Sequence, residues 1–186
     1  MNIIKTPIKD LLIIEPQVFK DQRGYFFESF NLSKLNKGGL NFRFVQDNES
    51  KSCYGVIRGL HYQLNPKAQT KLVRVISGTI YDVVVDVRKG SPSYGKWFGL
   101  ELSDENKKQL LVPKGFAHGF AVLSDTATIL YKCDEFYVPE YDAGIIYNDT
   151  FLNIDWKIPE EKVALSEKDG QLPSFEKANN NFSIQT

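Results

Sequence analysis

Short runs rich in Val, Ile, Tyr and Phe, closed by Gly, Pro, Asn or Asp, recur along the middle of this chain. RFVQDN (43–48), GVIRGLHYQ (55–63), KLVRVISG (71–78), GTIYDVVVDVRKG (78–90), KWFGLEL (96–102), QLLVPKG (109–115) and TATILYKCDEFY (126–137) have strand length and strand composition. Many short strands between turn signals predict an all-β sandwich or barrel. Side chains alternate along a strand, so Tyr81, Val83, Val85 and Val87 share one face and Asp82, Asp86 and Arg88 the other. The first face is predicted to be core and the second mixed. Helical signals are short. LSKLNKGG (32–39) ends in glycines, SDENKK (103–108) is one turn, and SEKDG (166–170) begins like an N-cap. No repeat or linker divides the chain, and the Asn-rich tail from about Glu176 is predicted to be loose.

A length of 186 residues suits one domain, 1–186, with one sizeable core. Lys plus Arg and Asp plus Glu both number 23, so no global field draws in nucleic acid or a membrane surface, although a local cluster can hold a small anion. No run approaches the ~20 apolar residues of a membrane span. The start, MNIIKTPIKDLLIIEP, lacks the apolar core and cleavage site of a signal peptide. The expectation is a cytoplasmic protein with a small-molecule partner. Cys53 and Cys133 share no ligand spacing and are expected to be reduced.

Two segments narrow the barrel further. GLHYQ (59–63) opens with Gly-x-His, and VPKGFAHGF (112–120) carries Pro-x-Gly-x-x-His, so His61 and His118 can flank one pocket on neighbouring strands. This pair resembles the two motifs of the cupin superfamily, a double-stranded β-helix, or jelly-roll, barrel. Where metal-bearing cupins have further ligands, this chain has Gln63 and Lys71. Two neutral imidazoles make a poor divalent site, and a protonated lysine cannot be a ligand, so the expectation is a metal-free pocket. A single histidine is more often a buried structural residue than a catalytic one, but these are the only two in the chain and both fall in the motifs.

An imidazole beside an ammonium can remove a proton next to a ketone, with His61 as base and Lys71 stabilising the enolate oxygen. A carboxylate on the far ring nitrogen makes such a base stronger, and Asp169 is a candidate. Its competing reading is local: a carboxylate three residues after Ser166 is what a first helical turn prefers, and spacing alone favours that cap. Tyr131 shares a strand face with Ile129 and Cys133, where a phenol either packs or acts as a general acid.

The ordered segments DQRGYFFESF (21–30), FVQDNESKS (44–52), VIRGLHYQ (56–63), KLVRVISGTIYDVVVDVR (71–88), VPKGFAHGF (112–120), YNDTFLNIDW (147–156) and LSEKDGQLP (165–173) resemble the dTDP-4-dehydrorhamnose 3,5-epimerase family across nearly the whole chain. The resemblance implies a cofactor-free, homodimeric cupin barrel that inverts carbons 3 and 5 of a 4-keto-6-deoxy sugar on dTDP. It implies His61 as base, Asp169 as its partner, Lys71 as enolate stabiliser and Tyr131 as acid on the opposite ring face. Arg23 and Arg58 can meet pyrophosphate oxygens, Glu28 can accept from the thymine imide, and Phe26 offers a ring for stacking. Gln46, Asn48, Gln63 and His118 would add polar contacts by family analogy. Thr150 departs from the usual Asn-Asp-Pro after Tyr147 and touches none of these roles. Arg58 and His61 have opposite strand parity, so both reach one pocket only if Gly59 allows a bend or bulge. The rival readings are a 3-only epimerase, a ketoisomerase on a related nucleotide sugar, and a non-catalytic sugar-binding cupin.

Overall fold

A computed structural model describes residues 1–184. Strands β1 (Asn2–Lys5), β2 (Leu12–Glu15), β3 (Phe19–Asp21) and β4 (Gly24–Phe26) precede helix α1 (Leu32–Lys37). Next come β5 (Gln46–Cys53), which starts within the run at 43–48 and extends beyond it, then β6 (Ile57–Gln63), β7 (Lys71–Ser77), β8 (Thr79–Asp86), β9 (Trp97–Ser103), β10 (Gln109–Val112), β11 (Phe116–Val122), which the second His segment forms, and β12 (Thr126–Cys133). A short β13 (Asp142–Gly144) and helix α2 (Glu167–Gly170) follow. The strands outside the predicted runs are three or four residues long, too short to show a period of two. Both helices start where the sequence signals stood, with Asn31 and Ser166 side chains accepting from the backbone N–H three residues on.

Two antiparallel sheets face each other. One has the order β1-β2-β10-β7-β12-β5 and the other β13-β6-β11-β8-β9, while β3 and β4 form a separate hairpin. The interior between them packs Val73, Val75, Leu110 and Ile129 against Ile80, Val84, Phe116 and Phe120. The outer face of the five-stranded sheet is buried as well, because Ile145, Leu152, Trp156 and Phe182 cover Ile57, Leu60, Val83 and Val85. On the other sheet Leu35 of α1 packs on Ile14, Leu72 and Leu111. Among the described residues no helix is long and apolar enough to cross a membrane.

The mixed face of β8 looks into the sandwich, where Asp82 and Asp86 are fully buried. The carboxylates tolerate this because partners surround them; Asp86 alone accepts from Arg88, Ser91 and Ser93. The tail is not loose through residue 184. Asn180 donates to the Val87 carbonyl, Asn181 and Asn65 exchange hydrogen bonds, and Phe182 is buried. Asparagine amides bind this segment to backbone groups, which an apolarity count does not register. Residues 185–186 of that expected loose tail lie outside the described residues.

Candidate active site

The interior changes character along its length. On β7, Val73 and Val75 belong to the core, but the inward residue before them is Lys71; on β12, Ile129 is followed inward by Tyr131 and Cys133. Gln46, Asn48, Ser50 and Ser52 line the inward side of β5. Polar side chains thus gather at one end of the sandwich, around two hollows of about 330 and 280 Å³ that share His61, Lys71, Tyr131 and Lys168.

Gly59 allows Arg58 and His61 to enter the same space. His61 pairs with His118 and Arg58 with Phe120, so β6 has one residue more than β11 between these pairs. Gly59 has φ +119°, and a Cβ there would stand 2.7 Å from both Gly119 Cα and the His118 carbonyl oxygen. A side chain at residue 59 would therefore collide with β11. The bulge leaves Leu60 in the outer cluster while Arg58 and His61 both line the smaller hollow.

His61 Nε2 lies 2.5 Å from Asp169 Oδ1, and the carboxylate is buried while the imidazole stays one-third open. Burial pushes the Asp169 carboxyl up, but the hydrogen bond and charge of His61, aided by Ser166 and Lys168, outweigh it and hold the group below the usual range. Spacing alone favoured the cap for Asp169. In the structure Ser166 performs the capping, and the Asp169 side chain turns to His61. Burial lowers the Lys71 ammonium from the usual lysine range, opposed by Cys133, Asp142 and Asp82. Burial and Cys133 raise the Tyr131 phenol, so it keeps its proton at neutral pH; burial pushes the Cys133 thiol up to about 11. An imidazole with a carboxylate partner, a lysine and a protonated phenol surround one space.

His118 faces a second carboxylate, its Nε2 lying 2.9 and 3.0 Å from the oxygens of Asp82. Arg58 donates from Nε to Ser52 Oγ at 3.0 Å. Gln46 Nε2 donates to Asn48 Oδ1, and its Oε1 accepts from the Tyr137 backbone. Gln63 lines the larger hollow with its amide already engaged by Lys67, Phe136 and Val138 backbone groups, so it holds the loop that presents Tyr137. Among the described residues no group of three or more His, Cys, Asp or Glu side chains could hold a metal ion.

Three predicted binding residues do not line these hollows. Arg23 pairs with Asp21 on the β3–β4 hairpin, Phe26 is 67% exposed, and Glu28 pairs with Lys34 and Asn31 near α1. Arg23 and Phe26 border a separate surface hollow of about 450 Å³. The sequence reading also missed Asp82, Tyr137, Asp142 and Lys168. Lys168 pairs with Asp142, which accepts from the Tyr137 hydroxyl at 3.1 Å, so three separate segments meet at the rim. Only Asp82 left a local signal, a carboxylate inside the otherwise apolar run IYDVVV.

The fold and the cavity define a class: an all-β barrel enzyme with acid–base groups inside the sandwich. The family described as dTDP-4-dehydrorhamnose 3,5-epimerase matches residues 5–177, and the chain belongs to that family. A protein of that name from Shigella flexneri is 55% identical over 170 residues, covering 91% of this chain and 93% of its own. The crystal structure of dTDP-4-dehydrorhamnose 3,5-epimerase from Elizabethkingia anophelis matches with TM-score 0.90 at 55% identity, covering 95% of this chain and 97% of that one. The dTDP-6-deoxy-D-glucose-3,5-epimerase of Legionella pneumophila, in complex with dTDP-4-keto-L-rhamnose, matches with TM-score 0.91 at 50% identity, covering 95% and 93%.

Proposed function

We propose that this protein inverts carbons 3 and 5 of the 4-keto-6-deoxy sugar carried on dTDP, giving dTDP-4-keto-L-rhamnose. The observation that carries the reading is the His61–Asp169 pair at 2.5 Å, set in one cavity wall with Lys71 and Tyr131. A C–H bond beside a ketone is acidic because the electron pair left behind delocalises onto oxygen. His61 takes that proton through the ring nitrogen that does not face Asp169, and the carboxylate stabilises the imidazolium. Lys71 meets the developing enolate oxygen. Tyr131 gives a proton to the same carbon from the opposite ring face, and exchange with solvent restores both residues before the second carbon reacts. No step calls for a metal or cofactor.

Arg58 and Arg23 bind the diphosphate, His118, Gln46, Asn48 and Gln63 line the polar wall, Phe26 stacks on the base, and Glu28 accepts from its imide. Arg23, Phe26 and Glu28 stand apart from the cavity of their own chain, which supports a homodimer in which a second copy brings its hairpin to the site. The nucleotide-sugar substrate and free thiols fit a cytoplasmic setting.

Incubation with dTDP-4-keto-6-deoxyglucose in deuterated water tests the reading. Deuterium at carbons 3 and 5 with inversion at both is expected. Inversion at carbon 3 alone would make the protein a 3-epimerase, and binding with no exchange would reduce it to a sugar-binding barrel.

A further inference from the structure

Ser166 and Asp169 stand in the arrangement of a capping box, in which two side chains each satisfy the other's backbone N–H. Only half of it is built. Ser166 Oγ accepts from the Asp169 N–H at 3.1 Å, while the Asp169 carboxylate points to His61. Helix α2 has four residues, too few to hold its shape by propensity. The surrounding segment is clipped at two places: Ile57 N–H donates to the Ala164 carbonyl at 3.0 Å, and Ile146 N–H to the Pro173 carbonyl at 2.8 Å. Between these clips, Ser166 is the side chain that ties down the Asp169 backbone. It also lines the same hollow as His61, Lys71 and Tyr131. The bond from the Asp169 N–H fixes the backbone from which the carboxylate reaches the His61 ring.

We infer that Ser166 is a positioning residue for the proton transfer: it holds the Asp169 backbone in place, so that the carboxylate meets the His61 ring. The inference rests on the reading of His61 and Asp169 proposed above. A hydroxyl acting only as a helix cap would leave turnover to follow stability. Glycine separates the two roles, because at an N-cap it loses only a little helix stability relative to serine, whereas alanine loses more.

The experiment measures kcat, KM and Tm for S166A, S166G, S166T and D169N with dTDP-4-keto-6-deoxyglucose. S166A and S166G are expected to lose about tenfold in kcat, the scale of one hydrogen bond, with KM within about twofold of wild type. S166G keeps a Tm near wild type, and S166T, which retains the hydroxyl, recovers most of the kcat. A slow D169N beside a fast S166G overturns this inference alone, as does a kcat that tracks Tm across the series. Wild-type kcat in D169N overturns the His61–Asp169 reading and this inference with it.

Discussion

His61 and His118 stand directly opposite each other across β6 and β11, yet each turns its Nε2 to a different carboxylate. Asp82 reaches His118 from β8, the strand on the other side of β11, and both side chains are buried. Asp169 reaches His61 from α2, 108 residues away in the chain, and leaves that ring partly open to the cavity. Two similar pairs thus differ in access, the His61 ring being the more open of the two.

Replacing His61 by Asn keeps size and polarity but removes the group proposed as base. We expect a folded protein with no deuterium exchange at either carbon, read by NMR of the sugar protons. Asp169→Asn retains the imidazole and loses the charge beside it, so exchange is expected to be slowed and still detectable. Persistent wild-type exchange in His61→Asn would remove the residue from the role of base.

Tyr131→Phe separates the two proton transfers. Enolate formation by His61 and Lys71 continues, while delivery from the opposite face fails, so exchange without completed inversion is expected. A general acid contributes about 100- to 10,000-fold, which puts the loss of inverted product well outside assay error. Wild-type inversion by this variant would rule the phenol out as the acid.

Lys71 must carry its proton to stabilise an enolate. Burial lowers its pKa, so activity should fall on the alkaline side at a pH below the ~10.4 of an ordinary lysine. Arginine keeps its charge to higher pH, and Lys71→Arg is expected to push this alkaline limb outward at a lower maximal rate. The kcat/KM profile of the two proteins decides the point; coincident alkaline limbs would show that another group titrates.

Arg58 is the arginine that lines the cavity among the described residues. Arg58→Ala should weaken dTDP binding about 10- to 100-fold, as expected for losing charge-assisted hydrogen bonds to a diphosphate. Calorimetry with dTDP checks this, and unchanged affinity would place the diphosphate elsewhere.

Asp86 ties Arg88, Ser91 and Ser93 together from a fully buried position. Asp86→Ala leaves Arg88 without its buried partner and should cost about 3 kcal/mol or more at neutral pH, measured by urea unfolding. The hydrogen bonds from Arg88 and the serines outweigh burial and hold its folded pKa below the ordinary value. Its contribution is therefore complete above the ordinary carboxylate range and is lost as pH falls through the folded pKa, so the difference from wild type should narrow in acid. A difference that stays constant into strong acid would assign the effect to packing alone.

Alternation along TIYDVVVDVR determined which of its side chains share a face, because an extended backbone permits no other arrangement. The same rule exposed the conflict between Arg58 and His61, and Gly59 was the one residue between them able to relieve it. His61 and His118 were legible from the Gly-x-His and Pro-x-Gly-x-x-His segments and Lys71 from its place after the first of them, whereas Tyr131 was singled out by the family resemblance, its strand position alone fitting packing as well. Which face of β8 lay between the sheets was not legible, since both are apolar enough to be buried and the cover of the outer one arrives from Ile145 to Phe182. The partner of His61 was not legible either. Locally, Ser166 and Asp169 describe a helix cap, and only the docking of α2 against β6 turns the carboxylate into the cavity. A hydrogen bond depends on where two groups meet in space, and over 108 residues the packing of the sheets decides that meeting.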